Sequence, residues 1–466
     1  MEKEYESKDI LFPEEGHPLT EEDTEDIAER IQDLVEQDQR PEAVEVISHL
    51  HPADQGEVLD ELPVETQQQI LEALPPEEVA EILEHLDSED AATIAGGLEP
   101  DVLSDILDET DPDVTADIIK QLPEEQALDV IGEMEEAEEV IPLLQYPDDS
   151  AGGLMSLEYV VVKDSATTNE ALDTLRQQEP EVEDIRSIFV VDADEHLVGE
   201  LSIARLALAK FGTMVRDIMD TEIIFVTTDT NQEECARVME RYDLDQLPVV
   251  NEEKRFVGVI LSEDVIDVIE EEATEDMYKL ASISGERVSG PLRSSIKNRL
   301  PWLSLNLATT FLAALVISLF ESTIAKVVTL AVFLPVVAGQ GGIGGTQTLT
   351  LVVRSMALGE ITKRGGIRLL GREAILGILH GLILGIIVGL VAYFWKGNYM
   401  LGVVLGLAMI GNLIVAGLTG AGIPILLNRL KIDPAVSSAV VVTTCTDVIG
   451  FLLFLGLAAV FISFLL

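Results

Sequence analysis

Residues 433–454 read DPAVSSAVVVTTCTDVIGFLLF. Between Asp433 and Asp447 the stretch holds no charge, and apolar residues continue to Leu466. A segment of this kind is long enough to cross a hydrocarbon core of about 30 Å. Asp447 stands about fourteen residues beyond Asp433, roughly 20 Å along a helix at ~1.5 Å per residue. A lone carboxylate at that depth costs about 2.5–3.5 kcal/mol even on the mild insertion scale. Thr443, Thr444 and Thr446 surround it with hydroxyls, and no Lys or Arg in the span neutralises it. A structural acid would need a partner that the neighbouring sequence lacks. A cation pathway through a helical membrane domain is the favoured reading.

Further apolar runs lie at about 302–320, 327–353, 374–395 and 400–428, so five spans are expected, the last over 435–466. The first residues, MEKEYESKDI, contain no apolar signal segment, so the N-terminus is expected in the cytoplasm and, after five spans, the C-terminus outside. Arg293, Lys297, Arg299, Arg354, Lys363, Arg364, Arg368, Arg372, Arg429 and Lys431 then fall inside, against Lys326 and Lys396 outside. That is the positive-inside pattern. The second run contains PVVAGQGGIGGTQTLTLVVR at 335–354. Its glycines and proline admit two readings of equal weight: broken helix with carbonyls lining a cavity, or close packing through small residues.

The rest of the chain is different in kind. Residues 291–466 carry 12 Lys/Arg and 5 Asp/Glu, a net of +7, while the preceding part carries −63. This acidity argues against nucleic-acid binding, and two cysteines exclude a disulfide framework. Residues 1–20 read as a poorly ordered tail. Residues 62–134 repeat every twelve, from LPVETQQQILEA and LPPEEVAEILEH to LPEEQALDVIGE. Leu62, Leu74, Leu86, Leu98 and Leu122 share a phase that only Thr110 breaks. Pro or an acid after the leucine starts each short helix, and such helices must stack as an α-solenoid to bury their faces.

A second repeat follows at a spacing of 59: Val190-Val191-Asp192 answers Val249-Val250-Asn251, and Gly199 answers Gly258. Each copy reads strand, helix, strand, turn, strand, helix, and the pair resembles tandem cystathionine-β-synthase (CBS) domains. That resemblance implies adenine nucleotides, ATP among them, or ions as ligands. The ribose-binding Asp of that motif is matched by Asp264 in the second copy, whereas Arg205 stands in the first and argues against a nucleotide there. Next, SEDVIDVIEEEATEDMYKLASI is expected as a helix capped by Ser262, with Asp264, Asp267, Glu271 and Glu275 within about 80° of one another. Two carboxylates ~5 Å apart repel by ~3 kcal/mol at an effective dielectric of 20. A divalent cation would reverse that sign. A solvated acidic face is the equal alternative.

Taken in order, the acidic solenoid, CBS pair, acidic helix and five spans resemble the MgtE family of magnesium transporters. The local matches are EEATEDMYKL (271–280), FES (320–322), PVVAGQGG (335–342), DPA (433–435) and TDVIG (446–450). The resemblance implies a homodimer in the cell (inner) membrane, with Mg2+ as substrate and regulator. By residue, it implies Asp447 as the pore ligand and Asp433 at the cytosolic mouth. Glu233, Asp243, Asp264, Asp267, Glu272, Glu275 and Asp276 are its cytosolic Mg2+ sensors, and residues 266–288 its plug. The implied pore wall takes Gly341, Gly342, Ile343, Gly344, Thr346, Gln347 and Thr443. Two family asparagines are replaced by Ile343 and Thr346, which bears on ion selectivity, and Asn231 replaces one sensing acid. The expected organisation is a tail (1–20), a solenoid N domain (21–145), two α/β CBS domains (146–210 and 211–270), a connecting helix with linker (271–300) and an all-α membrane domain (301–466). Two other functions fit the same parts: transport of Na+ or another divalent ion, and a membrane-tethered CBS sensor. Nothing resembles a nucleophile–base constellation or a phosphate loop, so an enzyme is not expected. A high-salt habitat would also account for the acidity.

Overall fold

The computed structural model describes residues 19–86, 88–178, 187–283, 292–361, 365–435 and 438–466. Most of the expected tail, residues 284–288 of the expected plug, and Lys363 and Arg364 lie outside them. The chain divides into two units, 1–269 and 270–466.

In the first unit the twelve-residue repeat becomes one helix per repeat. The helices are α1 (Glu21–Glu36), α2 (Arg40–Ile47), α3 (Pro52–Asp60), α4 (Val64–Leu71), α5 (Pro76–Glu84), α6 (Ser88–Ala95), α7 (Pro100–Leu107), α8 (Pro112–Gln121), α9 (Glu124–Glu133) and α10 (Ala137–Val140). Alternate helices stack, α3 on α5 on α7 on α9 and α2 on α4 on α6 on α8, so two repeats make one turn of the solenoid. Proline opens α3, α5, α7 and α8, where its missing N–H costs nothing. Leu62, Leu74, Leu98 and Leu122 are buried, and so is Thr110, whose hydroxyl donates to the Ile106 carbonyl at 2.9 Å.

The 59-residue repeat becomes two matching three-stranded sheets. β1 (Val161–Lys163), α11 (Thr168–Gln178), β2 (Ser187–Val191), β3 (Leu197–Ser202) and α12 (Ile203–Leu208) form the first copy. β4 (Val226–Thr227), α13 (Gln232–Tyr242), β5 (Gln246–Val250), β6 (Phe256–Leu261) and α14 (Ser262–Leu280) form the second. In each, the first two strands are parallel and the last two antiparallel, with Val190 facing Gly199 and Val249 facing Gly258. The ladders shift at the same place, after Val190 and after Val249. The two glycines explain how the copies join. Each lies under a methionine of the segment leading into the other copy: a Cβ at Gly258 would stand 2.7 Å from Met155 Sδ, and Gly199 is covered likewise by Met219. Main-chain pairs Ser156–Val259 and Glu200–Asp220 complete the exchange.

The second unit is helical: α15 (Leu292–Leu319), α16 (Glu321–Lys326), α17 (Thr329–Ala357), α18 (Gly365–Lys396), α19 (Tyr399–Arg429), α20 (Ser438–Val460) and α21 (Ile462–Leu465). Five of these are long and apolar enough to cross a membrane. α19 is central and packs on α17, α18 and α20. Its contact with α18 is backbone on backbone, because Gly385 and Gly389 face Gly406 and Gly402. Bare glycines allow this approach where lipid supplies no hydrophobic drive between helices.

α17 corrects one expectation. It is a continuous α-helix through Pro335 and the glycines, so the broken-helix reading of 335–354 does not hold. Its buried face packs instead. Gly341 and, on α20, Gly450 make room for Asn412, whose amide donates to the Val337 carbonyl at 2.8 Å. A second correction concerns α14. Its cap is not Ser262: the helix includes that residue, and Asp264 reaches back to accept the Leu261 N–H at 3.2 Å.

Candidate functional site

From Ile343 onward the exposed residues of α17 fall on one stripe, Ile343, Thr346, Gln347, Thr350, Leu351 and Arg354, as a 3.6-residue period requires. With Ala338, Gly339, Gly342 and, from α20, Thr443 and Asp447, this stripe lines a groove of about 1020 Å³. The groove gathers six sequence-read positions: Gly342, Ile343, Thr346, Gln347, Thr443 and Asp447. Gly341 and Gly344 are not among them, because α17 turns them toward Asn412 and Leu413 of α19. Thr446 is also turned away and fully buried.

The chemistry of the wall follows from its hydrogen bonds. Thr346 Oγ1 donates to the Gly342 carbonyl at 3.0 Å, and Thr443 Oγ1 to the Ala439 carbonyl at 2.8 Å. With their protons committed to the backbone, both hydroxyl oxygens keep lone pairs for a cation or its waters. Asp447 is partly exposed and, among the described residues, has no ion-pair or hydrogen-bond partner. A carboxylate that pairs with no cation, beside neutral hydroxyl acceptors and with Arg354 the one positive side chain of the wall, suits a hydrated cation held through its waters, as Mg2+ prefers.

A second acidic group lies before α20. Asp433 Oδ1 accepts the Ala435 N–H at 2.8 Å, and Oδ2 pairs with Lys279 Nζ at 2.7 Å. The same ammonium bonds Glu275 at 2.5 Å. Burial alone would lower the Lys279 pKa, but these two carboxylates outweigh it and hold it at about 12. Burial and then Asp433 push Asp276 above the usual carboxylate range, with Glu272 and Glu275 adding to the rise. Leu280, next to Lys279, packs with Leu349 and Val353 of α17 and with Ala435 and Val442.

A third group lies in the first unit, where the starts of α8 and α14 meet. Burial raises Asp264 to about 7, and Glu263, Asp267 and Asp111 add repulsion against the single helpful bond from Leu261. Asp113 is raised well above its usual value, first by burial and then by Asp264 and Asp111, and its Oδ1 has no hydrogen-bond partner. The sequence reading contains Asp264 and Asp267 but misses Asp111 and Asp113. The signal was there: Thr110, the one break in the leucine phase, precedes Asp111-Pro112-Asp113. Two further sequence-read positions lie on or beside α13. Glu233 pairs with Arg237 on its own helix, and Asp243 is the exposed, left-handed C-cap of α13 at φ 54°.

Comparison with known proteins places these parts. Residues 334–457 match the model of the MgtE divalent cation transporter, 18–114 and 50–149 that of the MgtE intracellular N domain, and 151–211 and 215–271 that of the CBS domain. The magnesium transporter MgtE of Thermus thermophilus is 40% identical over 325 residues, 69% of this chain and 72% of the relative. That of Bacillus subtilis is 36% identical over 70% of this chain and 73% of its own. A crystal structure of the cytosolic domain of the Mg2+ channel MgtE in complex with ATP is 38% identical, with a TM-score of 0.48, and covers 52% of this chain and 99% of that one. With its three parts matched in order and a relative 40% identical across more than two thirds of both lengths, the chain belongs to the MgtE family.

Proposed function

We propose that this protein moves Mg2+ across the membrane along the α17–α20 groove, with Asp447 as the ion's charged contact and the cytosolic acids as its Mg2+ sensor. The carrying observation is the partnerless Asp447 carboxylate in a groove that also presents two proton-committed hydroxyls, those of Thr346 and Thr443. A homodimer completes the proposal. Ile343 and Leu351 are more than half exposed along this stripe, and a carboxylate left open to lipid carries the insertion cost given above. A second copy laid over the groove would enclose both. The protein would sit in the cell (inner) membrane with its N-terminus cytoplasmic and its C-terminus outside, as the basic residues favour.

Sensing rests on the two other acidic groups. Without a divalent ion, the carboxylates at 111, 113, 264 and 267 repel one another or hold a proton. Mg2+ would replace that repulsion by bridging, and several weak sites together bias the protein toward a closed state. Asp433, Glu272, Glu275 and Asp276 would act in the same way at the cytosolic mouth, and Glu233 and Asp243 join the proposed sensors through the family motif alone.

One observation favours a second reading. Ile343, exposed in the wall, gives an ion no ligand where the family has an amide, so a different cation preference is the alternative. Uptake into liposomes holding the purified full-length protein, measured ion by ion, decides between them. Mg2+ uptake above that of empty liposomes is expected. Uptake of Na+ or another divalent ion without Mg2+ would favour the second reading, and no uptake at all would favour a sensor.

A further inference from the structure

Glu373 is a carboxylate inside a spanning helix, 5% exposed, and no part of the proposed pathway uses it. It opens a series on α18 at intervals of four: Glu373, Gly377, Gly381, Gly385, Gly389. The glycines press α18 onto α19, and Glu373 continues that face. A Cβ at Gly417 would stand 2.7 Å from the Glu373 carbonyl oxygen. The Glu373 side chain reaches α17, where Oε2 accepts the Thr348 hydroxyl at 3.2 Å. Gly420 leaves the space for this, since a Cβ there would lie 2.9 Å from Thr348 Cβ. Oε1 is buried without a hydrogen-bond partner, with the Arg372 guanidinium 3.6 Å away. Three helices therefore meet on one bond, and Thr348 is next in sequence to Gln347, which lines the groove.

We propose that Glu373 is a positioning residue: through Thr348 it fixes the rotation of α17, and so the placement of Gln347, Thr350 and Leu351 in the groove, without touching the ion. The inference rests on the transport reading above. An acid serving only to pack the bundle would affect how much protein folds. A positioning acid also affects which ion the folded protein prefers, because a turn of α17 exchanges the residues on the wall.

The test compares full-length wild type with Thr348→Val, Glu373→Gln, Glu373→Ala and Asp447→Asn in liposomes. It records the ratio of Mg2+ to Co2+ flux and the Mg2+ concentration at half-maximal flux. Thr348→Val keeps shape and removes only the donor, so it carries the test even where Glu373→Ala fails to assemble. It is expected to shift one or both readouts by about two- to tenfold, the worth of one hydrogen bond. Glu373→Gln retains an acceptor and should stay within about twofold of wild type. Wild-type values in Thr348→Val would overturn the proposal, as would a loss in Glu373→Gln equal to that in Glu373→Ala. Undiminished flux in Asp447→Asn would instead overturn the pathway, independently of Glu373.

Discussion

At Asp264 the starts of α14 and α8 bring together carboxylates that repel. Its ordinary value of 3.8 rises to about 7, a shift worth at most about 4 kcal/mol. The folded state prefers the protonated acid, so this contribution is present below about pH 4 and is lost as pH rises through about 7. In divalent-free buffer, wild type should therefore lose thermal stability between pH 5 and pH 8. Asp264→Asn, which removes the titration and keeps the shape, should flatten that fall, and millimolar Mg2+ should restore wild type at pH 8. Parallel pH profiles for the two proteins would show that Asp264 does not carry the effect. At the groove, Ile343→Asn with Thr346→Asn should change the order of ion preference, measured by competition for Mg2+ uptake. An unchanged order would remove these positions from selectivity. Asp447 was legible in the sequence because a lone acid in an apolar run is costly. Asp113 is marked in the sequence only by the phase break at Thr110, and Glu373 not at all, because what each does depends on which helix packs against it.

At the scale of elements, α14 ends in a latch. Lys279 bonds both Glu275 and Asp433, so one ammonium already occupies a place between two proposed sensing acids. A divalent ion bridging those acids must displace it. Lys279→Met should leave the carboxylates unneutralised, making the end of α14 more open to protease in low Mg2+ and more strongly protected by added Mg2+. The change in apparent Mg2+ requirement should reach at most about fivefold, given that the pair is partly exposed. Identical protection curves for mutant and wild type would rule out competition. The elements themselves were largely readable, their starts less so: α15 and α18 begin at Leu292 and Gly365, ahead of the apolar runs expected from 302 and 374. Twelve-residue and 59-residue periods fixed where helices and strands recur, and hydropathy located five spans. For α17 the glycine content leaves broken helix and close packing equal, and only the neighbours decide for packing: Asn412, Leu413 and Val442 fill the space beside Gly341, Gly344 and Gly345.

For the whole molecule, charge and hydropathy divide the chain into an acidic part and an apolar part, and the two structural units divide near the same place. The order of repeats identified the domains, since each repeat cannot bury its face alone. Face assignments were less legible. A stripe of α17 lines the groove, and neither Thr350 nor Arg354 was read as part of it, because the sequence shows periodicity but not which side meets α20. On the proposed pathway a cation passes Asp447. The direct measurement is Mg2+ flux into liposomes containing wild type or Asp447→Asn at equal protein content, with both confirmed as assembled by size-exclusion chromatography. Robust flux is expected in wild type and a loss of at least about tenfold in the mutant, the consequence of removing ~1.4 kcal/mol or more of ion stabilisation at membrane depth. Equal flux through both proteins would contradict that pathway.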